Sequence, residues 1–390
     1  MQVRRCAIVH LEPRVEPVFE LDALLAGGNG LVHQPRWVAL APHLPQEVVL
    51  EETACCLLGR MDAEHWVEAS QWQGPWEEAL QCLLQAGLVL DDSPERADLR
   101  ERDNALRQVH WHPLSATYQA FTRWQHADAV EAVVQTGTAT VEGLRARHGP
   151  PPPAVPAVRG HGPSIALPAI DGSPLLALLE RRVTCRNFDR ARPLPLFMLA
   201  GMLDRVFRAR SQLAATEDMV FLKKTSPSGG SLHPLEAYLV LRNVQGLEDG
   251  PYHYDAVSHA LQPLPLPPGS LQEVMLQALA GQYWFADAPV MVALCPRYER
   301  NFWKYRQHAK AWRAVVLEAG HFSQTWYLAA TEMGLGAYVT CAINETVLES
   351  VFGLDPAGEG VLAVCGLGWR AATMATPELD PAGHVWPGRD

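Results

Sequence analysis

The spacing of apolar positions in the first part of the chain predicts a small module of two helices and short strands. Residues 46–61 and 76–87 repeat apolar side chains at helical intervals, with an extended segment at 36–42 before them and an apolar strand at 88–90 after them. Helix, helix and strand in this order, with a glycine at the turn, are typical of a winged-helix module. We therefore predict such a module at about residues 31–92.

The pattern changes after four consecutive prolines. Residues 149–158, GPPPPAVPAV, favour stiff polyproline II, so we predict a linker there between an N-terminal region, 1–148, and a second region, 159–390. In the second region, helical and strand-like segments alternate, which predicts a sheet covered by helices on both faces. The predicted helices are 174–182, 196–208, 271–282, 312–333 and 345–352, and the predicted strands are 237–241, 251–255, 289–295 and 360–368.

Other patterns predict buried positions. Tyr118, Phe121 and Trp124 recur at spacings of three, as core residues on one face of a helix do. The eight cysteines show no CxxC and no zinc-type Cys/His spacing, so we predict mostly buried, reduced thiols. His110 and His112 would share a strand face, but no acidic residue or cysteine accompanies them, and we predict no metal site.

Composition and charge exclude several classes of protein. The chain has 390 residues, of which 48% are hydrophobic, but no run reaches the roughly 18 apolar residues of a membrane span. We therefore expect no signal peptide, no membrane association and a cytoplasmic location. The net charge of −11 argues against a nucleic-acid partner, and so do residues 31–92, where two arginines face ten acidic residues for a net charge of −8. A peptide-binding and a purely structural winged helix both remain open.

A loop rich in glycine and serine precedes the first predicted strand of the second region. Residues 225–241 read TSPSGGSLHPLEAYLVL, with two adjacent glycines among three serines. Such a loop has little side-chain bulk and offers hydroxyl and N–H groups that a flat or anionic ligand can approach. The segment is either a cofactor-binding loop or an ordinary turn before a strand.

Clustered arginines are candidates for binding a phosphate. Residues 180–189 place Arg181, Arg182 and Arg186 around Thr184, and the guanidinium fork matches phosphate oxygens. The segment GLGWR places Arg370 directly after a predicted strand. A basic helix end that offsets its own dipole is the alternative for the first cluster.

A second basic cluster follows the predicted strand at 289–295. Residues 297–313 carry six basic residues against Glu299, a net charge of +5 in an acidic protein. Strand ends are where α/β proteins place ligands. Lys304 adjoins Tyr305, and a lysine cation beside a phenol stabilises the phenolate that base catalysis requires. A solvated basic loop is the alternative.

Taken together, these segments resemble the FMN-dependent nitroreductase superfamily. The chain is most similar to the SagB-type branch, the thiazoline/oxazoline dehydrogenases that complete azole rings in ribosomally made peptides. The similarity covers about residues 174–370 and rests on ERRVTCRNF, SPSGGSLHPLEAYLVL, WKY at 303–305, LEAGHFSQTWYLAATEMGLGAY from Leu317, and GLGWR, in the same order. It implies an α+β fold, with a mixed sheet covered by helices on both faces, preceded by the winged-helix-like domain. It also implies a homodimer with FMN at the interface.

The resemblance assigns roles to individual residues. The matches to the residues that hold the FMN phosphate and ribityl chain are Arg182, Thr184, Arg186 and Arg370. The matches to the loop against the flavin, typically supplied by the other subunit, are Pro227, Ser228, Gly229 and Ser231. The segment flanking the flavin ring would be Val339, Cys341 and Ala342, and the helix that forms the dimer would contain Gly320, His321 and Gln324. Lys304 and Tyr305 match a lysine-tyrosine pair implicated in catalysis.

The implied reaction is the oxidation of thiazoline or oxazoline rings to azoles by proton abstraction and hydride transfer to FMN. The implied partners are a precursor peptide and its cyclising enzyme, and the N-terminal module resembles precursor-recognition elements. Cys341 and Ala342 stand where simple nitroreductases often have an acidic residue and glycine, so nicotinamide-fed nitro reduction is not assured. Two alternatives remain open, a flavin reductase fed by NAD(P)H and a non-catalytic scaffold that binds peptides.

Overall fold

The computed structural model of the protein describes residues 1–155, 165–168 and 172–387. These residues form two compact units. The first contains Met1–Arg123, Arg297–Val315 and Asp355–Gly360, and the second contains Trp124–Pro296, Val316–Leu354 and Val361–Asp390. The last part of the predicted linker, residues 156–158, lies outside the described residues. The domain boundaries at 148 and 159 therefore stay a prediction.

Short strands and helices make up both units. The strands of the described residues are β1 (Gln2–Arg5), β2 (His10–Phe19), β3 (Leu31–Leu40), β4 (Val48–Leu50), β5 (Val67–Glu68), β6 (Val89–Asp91), β7 (Ser211–Ala214), β8 (Val220–Lys223), β9 (Leu235–Leu241), β10 (Gly250–Asp255), β11 (Ala260–Pro263), β12 (Val290–Pro296), β13 (Gly336–Thr340) and β14 (Ala363–Gly368). Their helices are α1 (Leu21–Leu25), α2 (Glu52–Arg60), α3 (Glu77–Ala86), α4 (Ala97–Gln108), α5 (Pro113–Thr122), α6 (Ala129–Gln135), α7 (Val141–His148), α8 (Pro174–Glu180), α9 (Leu196–Val206), α10 (Leu271–Ala278), α11 (Tyr283–Ala286), α12 (Tyr298–Phe302), α13 (Ala311–Glu332) and α14 (Glu345–Phe352).

Two amphipathic helices and a small sheet form the core of the first unit. Strand β1 lies between β5 and β6 and pairs antiparallel with both. Helix α2 buries Leu57 and helix α3 buries Leu83 in the core that also contains Val3. Helix α3 ends at Gly87, whose φ of 77° is a left-handed conformation that favours glycine. The helix, helix, strand order predicted from the sequence is therefore present.

The first predicted helix is shorter than its apolar pattern indicates. Val48, Val49 and Leu50 form β4, which pairs with β3 so that Leu50 lies opposite Trp37. Helix α2 begins only at Glu52. Valines fit a pleated surface well, so these residues form a strand where a partner strand is available.

Helix α5 buries a different face from the predicted one. Its buried residues are Ala116, Thr117 and Gln119. Tyr118 is 62% exposed, and Trp124 lies beyond the end of the helix and is 40% exposed. The prediction of an aromatic core stripe is therefore wrong, because small and polar side chains occupy the buried face.

A six-stranded sheet organises the second unit. Its order is β11-β10-β9-β12-β14-β13, and these neighbours pair antiparallel. Thr184 adds a parallel bridge to Ala337 in β13, which makes the sheet mixed at that edge. Alternate residues of β9 face opposite cores, with Leu239 beside α9 and α13 and Val240 beside α10 and α14. The predicted α+β fold with helices on both faces is confirmed.

The cysteines are buried less often than predicted. All eight lie in the described part of the chain and are free thiols. Cys6, Cys185, Cys295 and Cys365 are buried, and the remaining four are exposed or half-buried. Expecting most cysteines to be buried was therefore correct for only half of them.

Candidate active site

Tyr327 of α13 contacts three of the residues predicted to bind FMN, which are Arg182, Thr184 and Val339. Its hydroxyl oxygen accepts the Val339 N–H at 3.0 Å and lies 3.0 Å from Thr184 Oγ1. The Arg182 guanidinium lies over its ring, 5.1 Å from the centroid. Burial raises the pKa of the Tyr327 phenol, so the hydroxyl keeps its proton and can donate it to Thr184. Tyr327 was not among the predicted site residues.

Glu378 contacts the two remaining predicted phosphate ligands, Arg186 and Arg370. Like Tyr327, it was not among the site residues predicted from the sequence. Its carboxylate accepts hydrogen bonds from the backbone N–H groups of Arg186 at 2.6 Å and Asn187 at 3.1 Å. It also forms an ion pair with Arg370 and accepts the Trp386 indole N–H at 2.8 Å. The Glu378 side chain is fully buried. The C-terminal segment therefore lies directly on the arginine cluster.

The cluster keeps an excess of positive charge despite Glu378. Arg182, Arg186 and Arg370 supply three guanidinium groups against this one carboxylate, which leaves two positive charges. Arg370 Nη2 also donates to the Val183 carbonyl at 3.5 Å, so Arg370 is held against the segment that carries the other two arginines. A phosphate monoester carries a charge of about −2 near neutral pH, which matches this excess.

The predicted flavin loop lies along one face of α13. Ser226 Oγ is 3.0 Å from Thr325 Oγ1, the Pro227 carbonyl is 3.3 Å from His321 Nδ1, and Ser228 Oγ donates to Glu318 at 2.5 Å. The contacted residues of α13 are spaced three and four apart, as neighbours on one helical face are. Gly229 and Ser231 bound a short 3-10 turn. In this chain the loop is thus attached to its own α13, whereas supply of the loop by a second subunit stays a prediction.

Glu318 is a buried acid beneath this loop. Its side chain is 2% exposed, and its Oε1 lies 3.9 Å from His233 Nδ1, another buried group. The His233 backbone N–H donates to Ser228 Oγ at 2.9 Å, so the serine hydroxyl links both residues. Desolvation raises the pKa of Glu318 to about 7 despite the hydrogen bond from Ser228 and the charge of Lys224. Glu318 was not among the predicted site residues, although it lies in the segment LEAGHFSQ.

The segment after β13 turns away from the sheet through polar contacts. The Ala342 N–H donates to Thr340 Oγ1 at 3.2 Å, and the Ala342 carbonyl accepts from Gln282 Nε2 at 2.6 Å. Cys341 between them is exposed. Val339 therefore lies within β13, and Cys341 and Ala342 follow the strand in a segment held by these contacts. The predicted role of the three residues beside a flavin ring stays a prediction.

Lys304 and Tyr305 belong to the first unit, whereas the other predicted site residues belong to the second. The Lys304 ammonium lies 5.4 Å from the centroid of the Tyr305 ring, so the two side chains are neighbours. The pair follows α12, and the Tyr305 N–H donates to the Asn301 carbonyl at 3.2 Å. Lys304 is exposed and Tyr305 is half-buried. Their predicted catalytic role stays a prediction.

Two further properties concern cofactors and membranes. Among the described residues, no group of three or more His, Cys, Asp or Glu side chains is arranged to hold a metal ion. Within the same ranges, no helix combines the length and hydropathy needed to cross a membrane.

Comparison with known proteins assigns the chain to a family. The nitroreductase family matches residues 179–369. The protein MJ1384 of Methanocaldococcus jannaschii, assigned to the nitroreductases by inference, is 32% identical over 187 residues, which are 48% of this chain and 88% of MJ1384. The chain belongs to the nitroreductase family. The family resemblance predicted from the sequence is thereby confirmed.

Two other relatives of this nitroreductase-family chain are named for the processing of trifolitoxin and microcin B17. The trifolitoxin-processing protein TfxB of Rhizobium leguminosarum bv. trifolii is 32% identical over 149 residues, covering 36% of this chain and 38% of TfxB. The microcin B17-processing protein McbC of Escherichia coli is 26% identical, covering 34% of this chain and 50% of McbC. The chain thus spans half or less of these two relatives. These matches support the SagB-type branch.

A solved structure shares the fold over a longer range. The structure of the E. coli microcin synthetase McbBCD complex with truncated pro-MccB17 bound contains a chain with a TM-score of 0.51 and 18% identity to this protein. The similarity covers 68% of this chain and 92% of that one. It therefore extends beyond the residues matched by the nitroreductase family.

Proposed function

We propose that the chain is an FMN-dependent dehydrogenase in the maturation of ribosomally synthesised peptides, where it oxidises thiazoline or oxazoline rings to azoles. The nitroreductase family typically binds flavin. The names of TfxB and McbC record peptide processing. The observation that carries the proposal is the arginine-rich site around Tyr327 and Glu378, in a chain whose relatives include both proteins.

The donors at this site suit the phosphate end of FMN. Arg182, Arg186 and Arg370 leave a net charge of two after Glu378 is counted, and Thr184 adds a hydroxyl. Such a set would hold a phosphate dianion through charge-assisted hydrogen bonds. The Ser226–Ser228 backbone and the end of β13 at Val339 would bind the remainder of the molecule, with α13 contacting both.

In the proposed reaction, an azoline ring loses a proton from one carbon and a hydride from the adjacent carbon, and the ring becomes aromatic. Bound FMN supplies the acceptor for the hydride and its electron pair. Lys304 and Tyr305, whose side chains are neighbours, are the proposed pair that removes the proton. The protein supplies position, charge and the base.

The proposed partners follow from the same relatives. We propose a precursor peptide and its cyclising enzyme as partners, because a similar chain occurs in a microcin synthetase complex with a truncated precursor bound. Homodimer formation, a cytoplasmic location and peptide recognition by the N-terminal region are parts of the same proposal. A dimer would be tested by light scattering of the purified chain.

The double variant Lys304→Ala/Tyr305→Ala tests the proposed base. We expect a yellow protein with a full complement of FMN and no azole formation, since neither residue belongs to the arginine cluster that would bind the cofactor. Lys310→Ala, which removes an exposed cation from the same basic segment, is the matched control and should keep activity. Azole formation by the double variant at the rate of the control would refute the assignment of the base.

A further inference from the structure

The loop between α12 and α13, residues 303–310, carries both members of the proposed catalytic pair. Tyr305 is half-buried, and the other residues of the loop are exposed. The residues on either side are buried, and Asn301 Nδ2 donates to the Ala311 carbonyl at 3.1 Å. A surface loop whose ends are joined in this way is compact. Lys304 and Tyr305 therefore lie on a closed loop rather than on a helix or a strand.

Trp111 contacts the elements on both sides of the 303–310 loop. Its ring centroid lies 4.8 Å from that of Phe302 at the end of α12 and 5.7 Å from that of Trp312 in the first turn of α13. Trp111 is 3% exposed, and its indole N–H donates to the Ala357 carbonyl at 2.8 Å. Ring packing together with this hydrogen bond fixes the rotamer of the indole. One fixed side chain therefore contacts the residues before and after the loop.

A main-chain hydrogen bond to the residue before Trp111 holds the middle of the loop. The Gln307 N–H donates to the His110 carbonyl at 3.1 Å. Both residues have a left-handed backbone, with a φ of 61° at His110 and of 50° at Gln307. Such conformations are uncommon for residues other than glycine and persist where surrounding contacts impose them. The turn at residues 110–111 thus directs a carbonyl group to the loop and the next indole to the aromatic rings.

The main chain of Tyr305 is bonded within the loop on both sides. Its N–H donates to the Asn301 carbonyl at 3.2 Å, and its carbonyl accepts the His308 N–H at 3.0 Å. The residue that follows Asn301 and the residue that precedes His308 are the ones held by the turn at 110–111. A catalytic group has to be held close to its productive geometry, since a displacement of about 1 Å can lower the rate about a hundredfold. The turn at 110–111 is placed to provide this restraint.

We propose that Trp111 is a positioning residue for Lys304 and Tyr305. Its ring contacts, together with the hydrogen bond that the preceding residue accepts, keep the 303–310 loop in the conformation in which the pair removes the proton. The inference rests on the proposed function and deepens it. Trp111 lies before residues 179–369, which match the nitroreductase family. The N-terminal region therefore has a part in the chemical step, besides the peptide recognition proposed for it.

Hydrogen exchange and trypsin digestion of the full chain test the loop without substrate or flavin. In the unmodified chain, the amides of Tyr305 and Gln307 should be protected, because both donate to main-chain carbonyls. Trypsin can cut the loop after Lys304, Arg306 and Lys310. Trp111→Ala should raise cleavage at these sites about tenfold or more, and Trp111→Phe, which keeps an aromatic ring, should raise it less.

Leu83→Ala is the matched control for Trp111→Ala. It removes a fully buried side chain from the core around α2 and α3 and should leave cleavage of the loop unchanged. Equal acceleration of loop cleavage by the two variants would overturn the inference, because the loop would then respond only to the stability of the first unit. Unprotected amides at Tyr305 and Gln307 in the unmodified chain would overturn it as well.

Two variants of His110 test the contact with the loop without removing a buried ring. A β-branched valine disfavours the left-handed backbone, whereas glycine adopts it freely, and both keep the main-chain carbonyl. His110→Val should therefore speed cleavage of the loop, and His110→Gly should be cleaved as the unmodified chain is. Equal cleavage of the two variants would overturn the inference.

Kinetics with an azoline peptide test the positioning role itself. Trp111→Ala should lower kcat about tenfold or more, with the FMN content and KM of Leu83→Ala, and Trp111→Phe should recover part of kcat. An unchanged kcat in a Trp111→Ala chain whose loop is cleaved faster would overturn the inference. Protected loop amides in an FMN-loaded chain that leaves the peptide unoxidised would refute the proposed function and not the loop contacts, because exchange is measured without substrate.

Discussion

Burial of Glu318 makes a specific prediction about the dependence of stability on pH. The pKa of Glu318 rises from 4.5 to about 7 on folding, because desolvation opposes the charged form more strongly than Ser228 and Lys224 favour it. The folded state therefore keeps a proton that the unfolded chain releases between about pH 4.5 and pH 7. Stability from this group is present below pH 4.5 and falls as pH rises through that window.

The size of the effect follows from the shift. A difference of about 2.5 pKa units corresponds to a loss on the order of 3 kcal/mol in the free energy of unfolding, at about 1.4 kcal/mol per pH unit. Glu318→Gln keeps an oxygen that can accept from Ser228 but cannot ionise. The variant should therefore lose this slope. The other charged groups around the site, Lys224, His233 and Glu236, are present in both proteins, so the difference between them reports the charge of Glu318 together with its coupling to these groups.

Urea unfolding at about pH 5, 6 and 7 measures the slope directly. Tryptophan fluorescence follows the unfolding, because tryptophans occur in both units and Trp326 is fully buried in the second. Glu332→Gln is the matched control, because it neutralises an exposed glutamate on the same helix and should leave the slope unchanged. Equal slopes in Glu318→Gln and the unmodified chain would refute the argument that the acid is buried and protonated.

Three further predictions concern the arginine cluster. Tyr327→Phe removes the acceptor of a part-buried main-chain N–H, so the free energy of unfolding should fall by about 1–3 kcal/mol; an unchanged urea midpoint would contradict this. Glu378→Ala leaves Arg370 without its buried partner and should cost about 3–5 kcal/mol, seen as a lower melting temperature; a gain in stability would show that the ion pair is not required. Arg182→Ala should weaken FMN binding roughly 10- to 100-fold in a fluorescence titration, whereas Arg181→Ala, its exposed neighbour, should not; equal affinities would remove Arg182 from the phosphate site.

The sequence predicted the sheet of the second unit better than its site. Strands such as β9 and β12 are apolar runs of strand length, and α13 is a long periodic helix, so local pattern alone identifies them. Residues 48–50 were predicted to be helical but form β4. Two valines and a leucine fit both the helical and the strand periodicity, and only pairing with β3 makes them a strand. Pairing across the chain is not visible in local pattern.

The residues that organise the site could not be predicted from spacing. Glu378 lies 192 residues from Arg186 in the chain, in a proline-containing tail without periodicity. Glu318 and Tyr327 lie within a helical pattern in which a single polar residue or a tyrosine gives no sign of its partner. The arginines and the Gly/Ser loop were recognisable in the sequence because few residue types can bind a phosphate group or lie closely against a flavin. Their supporting residues are set by tertiary contacts.

Mass spectrometry of an azoline-bearing peptide before and after incubation with the purified, FMN-loaded chain tests the central proposal most directly. The account predicts loss of the mass of two hydrogen atoms for each ring, together with reduction of the flavin when oxygen is excluded. A gain of the same mass with NAD(P)H present would instead indicate a reductase. An unchanged peptide mass in the presence of bound, oxidised FMN would contradict the proposed dehydrogenase.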